Sequence, residues 1–172
     1  VTSSPAGQEA RPLGWAIFVG TLAQAVSFGS LMVAVYASIS DNGEAASPYF
    51  ALGFTLVPVM CAVVAFMSRH PRAPIATLKG MGMWLVVGIP LGLVNPVIGF
   101  GAGFTAAGAM TLRPDVLSPG RNRAWAVLAT ALYLTLLLFI LPQSAILAGA
   151  VTPLLAIRAA DLLTERREAQ AS

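Results

Sequence analysis

Residues 80–112 read GMGMWLVVGIPLGLVNPVIGFGAGFTAAGAMTL, thirty-three consecutive positions without Asp, Glu, Lys, Arg or His. As one continuous helix this run would extend roughly 50 Å at the helical rise. The hydrocarbon core of a bilayer is only about 30 Å thick, and about 20 residues cross it. The run is also broken near its middle. Asn95-Pro96, preceded by Pro90, places an amide and two ring-locked residues where a helix would need backbone donors. Proline removes a donor and clashes with the preceding turn. The stretch therefore reads as two short helices joined by a tight turn.

Three further windows are equally free of charge: Pro12–Ser40, Ala45–Ser68 and Ala124–Ile157. The whole chain has 172 residues, 57% hydrophobic and only 10% charged. Soluble proteins average about 25% charged residues, and a soluble domain of this length has too little interior to hide so much apolar surface. The composition indicates an all-α, polytopic helical membrane protein. Pro142-Gln143 interrupts the last window as Asn95-Pro96 interrupts the third. Three hairpins giving six membrane segments are expected; the alternative is four long helices.

Charge placement separates the two arrangements. With four spans and a cytoplasmic N-terminus, the loop holding Arg113, Arg121 and Arg123 faces outward, against the positive-inside rule. With six segments, Arg11, Arg69, Arg72, Lys79, Arg113, Arg121, Arg123, Arg158, Arg166 and Arg167 all fall on the cytoplasmic side. The charged outer loop then holds only Asp41 and Glu44. Trp15, Trp84 and Trp125 each follow a basic residue closely and each open one hairpin. They are expected at the membrane–water interface, where the ring is apolar and the N–H finds a partner. Residues 1–12 read as a disordered cytoplasmic tail, 13–157 as the transmembrane helical domain and 158–172 as a cytoplasmic C-terminal tail. The apolar run from Leu13 exceeds the roughly 7–15 residues of a signal-peptide core, so cleavage after Val35-Tyr36-Ala37 is not expected. Arg supplies nine of the ten basic residues. That bias fits a GC-rich bacterial genome and places the chain in a bacterial cytoplasmic membrane.

Three later segments, Met81–Val94, Val97–Leu112 and Ser144–Ile157, are short, about 21–24 Å each as helices. Short segments either thin the bilayer, borrow flanking residues or re-enter behind protein.

Gly88 and Gly92 form one GxxxG pair and Gly99 and Gly103 another. Small residues four apart let helix backbones approach, which matters because apolar burial gives no drive inside lipid. These four glycines are the candidate helix-packing or partner face. Gly99-Phe100-Gly101-Ala102-Gly103 lacks the preceding strand and final glycine of a nucleotide loop. Arg69, His70 and Arg72 form a compact basic loop, the candidate headgroup or partner site. In the first helix Thr21, Gln24, Ser27, Ser30 and Ser38 are polar, and Gln24 and Ser27 share a face. The breaks at Asn95-Pro96 and Pro142-Gln143-Ser144 have the form transporters use to free backbone groups for a solute.

No cofactor or metal is expected. His70 is the lone histidine, and Cys61, the lone cysteine, sits in an apolar run and reads as a packing residue. No clustered basic domain for nucleic acid is present. The windows hold no acid or base for proton coupling or catalysis. Asp41, Glu44, Asp115 and Asp161 near the surfaces form no catalytic motif, and Arg158–Glu168 reads as a solvated helix end. The expected function is a non-catalytic subunit or assembly partner of a larger bacterial membrane complex, in contact with the lipid bilayer and with other membrane subunits or itself. The alternative is a small-molecule permease or the substrate-binding membrane subunit of a transporter. Six short helices in under 200 residues are similar in layout to the substrate-binding components of energy-coupling vitamin transporters, a likeness of size and helix count that transfers no residue.

Overall fold

The computed structural model describes residues 6–40, 43–114 and 119–171. Asp41, Asn42 and Asp115 lie outside these residues. Every regular element is a helix: α1 (Ala6–Ile39), α2 (Gly43–Met67), α3 (Ala73–Met83), a π-helical turn (Trp84–Gly88), α4 (Ile89–Val94), α5 (Pro96–Thr111), α6 (Gly120–Ile140) and α7 (Pro142–Ala171). Among the described residues, five stretches are long and apolar enough to cross a membrane: Pro12–Ile39, Glu44–Met67, Ala73–Val94, Gly120–Ile140 and Pro142–Gln170.

The helix breaks fall where the sequence places them. Asn95 leaves the helical region (φ −154°, ψ 121°), and its Oδ1 accepts from the N–H groups of Val97 and Ile98 at 3.0 and 3.3 Å. Pro96 follows as the first residue of α5, where its missing N–H is one of the unpaired donors anyway. Leu141 makes the second break (φ −145°, ψ 77°), followed by Pro142 at the start of α7.

Element boundaries differ from expectation in four places. α1 begins at Ala6, so part of the stretch read as a tail is helical. α2 begins at Gly43, ahead of the charge-free window that opens at Ala45. Glu44 in its first turn favours that start, because a carboxylate complements the partial positive charge of a helix N-terminus. The third apolar stretch reaches back to Ala73 and includes Lys79, through a π turn that joins α3 to α4 without a gap. Pro90, the second residue after that turn, has no N–H to donate. The last stretch starts at Pro142, ahead of Ser144, and runs on past Ile157 through the helix end expected at Arg158–Glu168. Of the three segments expected to be short, only α5 remains so, at 16 residues.

That short helix is the centre of the molecule. α5 packs against α3, the π turn, α4, α6 and α7, and also meets α1 and α2. Twelve of its sixteen residues are buried. A helix surrounded on all sides needs small or apolar residues all round, and Gly, Ala and Phe supply them here. Trp84 departs from its expected place. Trp15 and Trp125 are exposed, but Trp84 is buried against Phe54, Phe100 and Phe104 at ring separations of 5.5–5.9 Å. It begins the π turn that leans on α5, so its ring joins the core instead of a membrane face.

Around this centre, Gly53 of α2 lies against Leu31 of α1, and Gly20 of α1 against Val64 of α2, so the two run antiparallel. Cys61 is buried in the core, beside Gly80.

Candidate functional site at the basic end of the bundle

Arg123 sits in the first turn of α6 and is 5% exposed. Its Nε and Nη2 donate to Asp161 of α7 at 2.9 and 2.6 Å. Nη1 donates to the Ala109 and Leu112 carbonyls at 2.7 and 2.8 Å, and Nη2 also to the Arg113 carbonyl at 3.4 Å. All five guanidinium donors are thereby used. The carbonyls belong to the last turn of α5 and the residues just after it, where a helix leaves acceptors unpaired and favours a cation. One side chain therefore ties α5, α6 and α7 together. Beside it, Asn122 donates to the Thr164 hydroxyl.

The loop after α2 closes onto the same place. The Arg113 N–H donates to Ser68 Oγ at 3.1 Å. Arg69 takes a left-handed conformation (φ 56°). The His70 N–H reaches back to the Ala65 carbonyl and the Arg69 N–H to that of Phe66, the paired bonds of a Schellman helix end. Glycine is usual at that position; Arg69 holds it at a steric cost. Arg69 and Arg72 point to solvent, and His70 is half-buried, its Nδ1 accepting from the Arg72 N–H at 3.1 Å. Burial and then the charge of Arg123 hold the His70 imidazole below its ordinary pKa.

A groove of about 790 Å³ runs along the outer face of α6 and α7. Its floor is built from Ala126, Ala129, Ala156 and Ala160. Arg121, Asn122 and Arg167 line one end; Tyr133 and Thr152 line the other.

The four glycines face one another inside the fold. A Cβ on Gly99 would lie 2.0 Å from the Gly92 nitrogen, and one on Gly103 would lie 2.7 Å from the Gly88 Cα. They hold α4 and the π turn against α5, so this face is already filled by the chain itself. Gln24 and Ser27 bridge helices: Gln24 Nε2 donates to the Ala150 carbonyl and Ser27 Oγ to that of Gly53, each at 2.7 Å. Thr21 Oγ1, Gln24 Oε1 and Trp84 Nε1 are buried without a hydrogen-bond partner.

The sequence reading left Arg123 and Asp161 among solvated charges; both are buried and bonded. A signal existed. Asp161 keeps step with Leu154, Ile157 and Thr164, and Arg123 with Ala126, Thr130 and Leu134, all buried. A charge in phase with the apolar stripe of its helix faces inward. No protein-family model matches the chain, and neither the curated proteins nor the solved structures gave a match.

Proposed function

We propose that this chain is a non-catalytic, multi-pass component of a bacterial cytoplasmic membrane assembly that acts by binding. Its six segments form three hairpins, with both ends and the basic residues on the cytoplasmic side. The observation that carries the reading is the division of labour among its charges. Arg123 and Asp161 are fully committed to holding three helices, which leaves neither free as an acid or base. Arg69, Arg72, Arg121, Arg166 and Arg167 are exposed. The contacts Ser68–Arg113, Arg123–Asp161 and Asn122–Thr164 gather the segments bearing them at one end of the bundle. Such a rim suits an acidic surface of another subunit. Central α5, sheltered by its neighbours, needs no complete span of its own.

Purification in mild detergent, with mass spectrometry of whatever co-purifies, tests this reading. A stoichiometric protein partner, lost when Arg69 and Arg72 are both replaced by Gln, is the expected result. A chain that purifies alone and still complements a deletion strain overturns it.

A second reading, a solute-binding membrane subunit, draws on the unpartnered polar atoms of Thr21, Gln24 and Trp84. Buried polar groups are normally hydrogen-bonded, and a polar solute would supply the missing partners. A small molecule retained by the wild type and lost in Gln24→Leu would favour it.

A further inference from the structure

We infer that the groove between α6 and α7 holds one anionic phospholipid, its headgroup between Arg121 and Arg167 and an acyl chain along the alanine floor. The inference rests on the membrane placement proposed above. Three features of the groove support it.

The first is charge. Arg121 and Arg167 line the same end of the groove and are exposed, and no ion pair engages either of them among the described residues. No Asp or Glu lines any part of it. Two guanidinium groups and the Asn122 amide offer donors to a phosphate, for which Arg has the best-matched geometry. Basic pockets between membrane helices on the cytoplasmic side take acidic headgroups in this way.

The second is the gradient of polarity. Beyond the arginines comes Trp125, exposed on the groove wall at the level where an indole favours the membrane interface. Past it the lining turns to alanine. The Thr130 and Thr152 hydroxyls further along are satisfied by their own helices, donating to Ala126 and Ala148. With both hydroxyls satisfied, the alanine floor between them and the arginines suits hydrocarbon.

The third is length, and it separates a lipid from a helix of a partner protein. From Arg121 to Tyr133 on α6 the groove extends about 18 Å, and from Thr152 to Arg167 on α7 about 22 Å, at the helical rise. Half a bilayer including its headgroups is roughly 20–22 Å. A spanning helix follows its partner for the full core of about 30 Å. The groove matches one leaflet, with its basic end at the headgroup level.

The test uses the full chain with Trp15→Phe, in nanodiscs of phosphatidylcholine containing a minor fraction of lipid brominated on its acyl chains. Trp125 then reports lipid in the groove, because Trp84 is shielded by the core. Brominated phosphatidylglycerol should quench Trp125 at least about fivefold more effectively than brominated phosphatidylcholine at equal mole fraction. The Arg121→Gln/Arg167→Gln variant should lose that preference, whereas Arg166→Gln, off the groove, should keep it. Ala156→Trp, which fills the floor, should lower retention of phosphatidylglycerol after delipidation. Equal quenching by the two lipids overturns the inference, as does a preference that survives the double arginine change. Absence of quenching by either lipid overturns the membrane placement too, which sets that failure apart. A polypeptide held in the groove in place of lipid, displaced by Ala156→Trp, also overturns it.

Discussion

Asp161→Ala removes the acceptor for two of the five Arg123 donors while leaving the guanidinium buried. The consequence is set by what stays behind. Arg123 is 5% exposed, and its other donors remain fixed on the α5 carbonyls, so it cannot swing into water without uncapping that helix. Breaking one side of a buried pair costs about 3–5 kcal/mol, because a charge is left uncompensated. Stabilities of single domains are about 5–15 kcal/mol, so this is a large share. At about 2–4 °C per kcal/mol for a chain of this size, the unfolding midpoint should fall by roughly 6–20 °C. The assay is thermal unfolding in detergent, followed by the fluorescence of Trp84, which rests on α5. The double change Arg123→Met/Asp161→Leu refines the test. A simple ion pair exchanged for apolar residues is often neutral. Here the pair also caps α5, so the double variant should recover only part of the loss. A midpoint for Asp161→Ala within about 1 °C of wild type, or equal to that of the exposed control Glu168→Ala, would refute the reasoning.

Gly99→Ala should destabilise by about 3 kcal/mol, since backbone atoms of Gly92 leave no room for a Cβ, whereas Gly88→Ala meets only ordinary contacts and should be neutral or gain up to about 1 kcal/mol of helix propensity. Equal effects in the same melt would remove the glycines from the contact. Arg69→Gly should raise stability by roughly 1 kcal/mol by relieving the left-handed backbone, a change readable as a higher melting midpoint. The His70 pKa is lowered in the fold, so the unfolded chain takes up its proton first: stability present above about pH 6.5 should decline as the pH falls below it, and His70→Gln should flatten that slope between pH 7 and 5. In a Cys61→Ala background, Gly43→Cys should react with an impermeant thiol reagent from outside intact cells and Gly120→Cys should not; the reverse labelling would end the six-segment topology.

Much of the architecture is legible in the sequence because lipid imposes simple rules. Charge-free runs give the helices, and proline beside an amide gives the breaks at Asn95 and Leu141. What was hidden depends on three-dimensional company. Trp84 follows Lys79 as an interfacial Trp would, and only the packing of the π turn against Phe100 and Phe104 puts it inside. The glycine pairs signal close approach without naming the neighbour, which is the chain's own adjacent helix. Arg123 and Asp161 are separated by 38 residues, and counting charges by side of the membrane treats both as solvated. Helical phase along α6 and α7 carries the information that charge counting discards. The groove is harder still, because neither α6 nor α7 alone has a concave surface.

The Arg123 clamp also orders events during synthesis. Domains generally fold from the N-terminus as the chain emerges, and α5 leaves the ribosome before the side chain that caps it. Its last carbonyls at Ala109 and Leu112 must wait for Arg123, and Arg123 must wait a further 38 residues for Asp161. Until then the nascent bundle holds a cation without its counter-ion beside the end of α5. A stop codon between Arg123 and Asp161 would leave the protein permanently in that state, so α7 acts as the seal on the segments made before it.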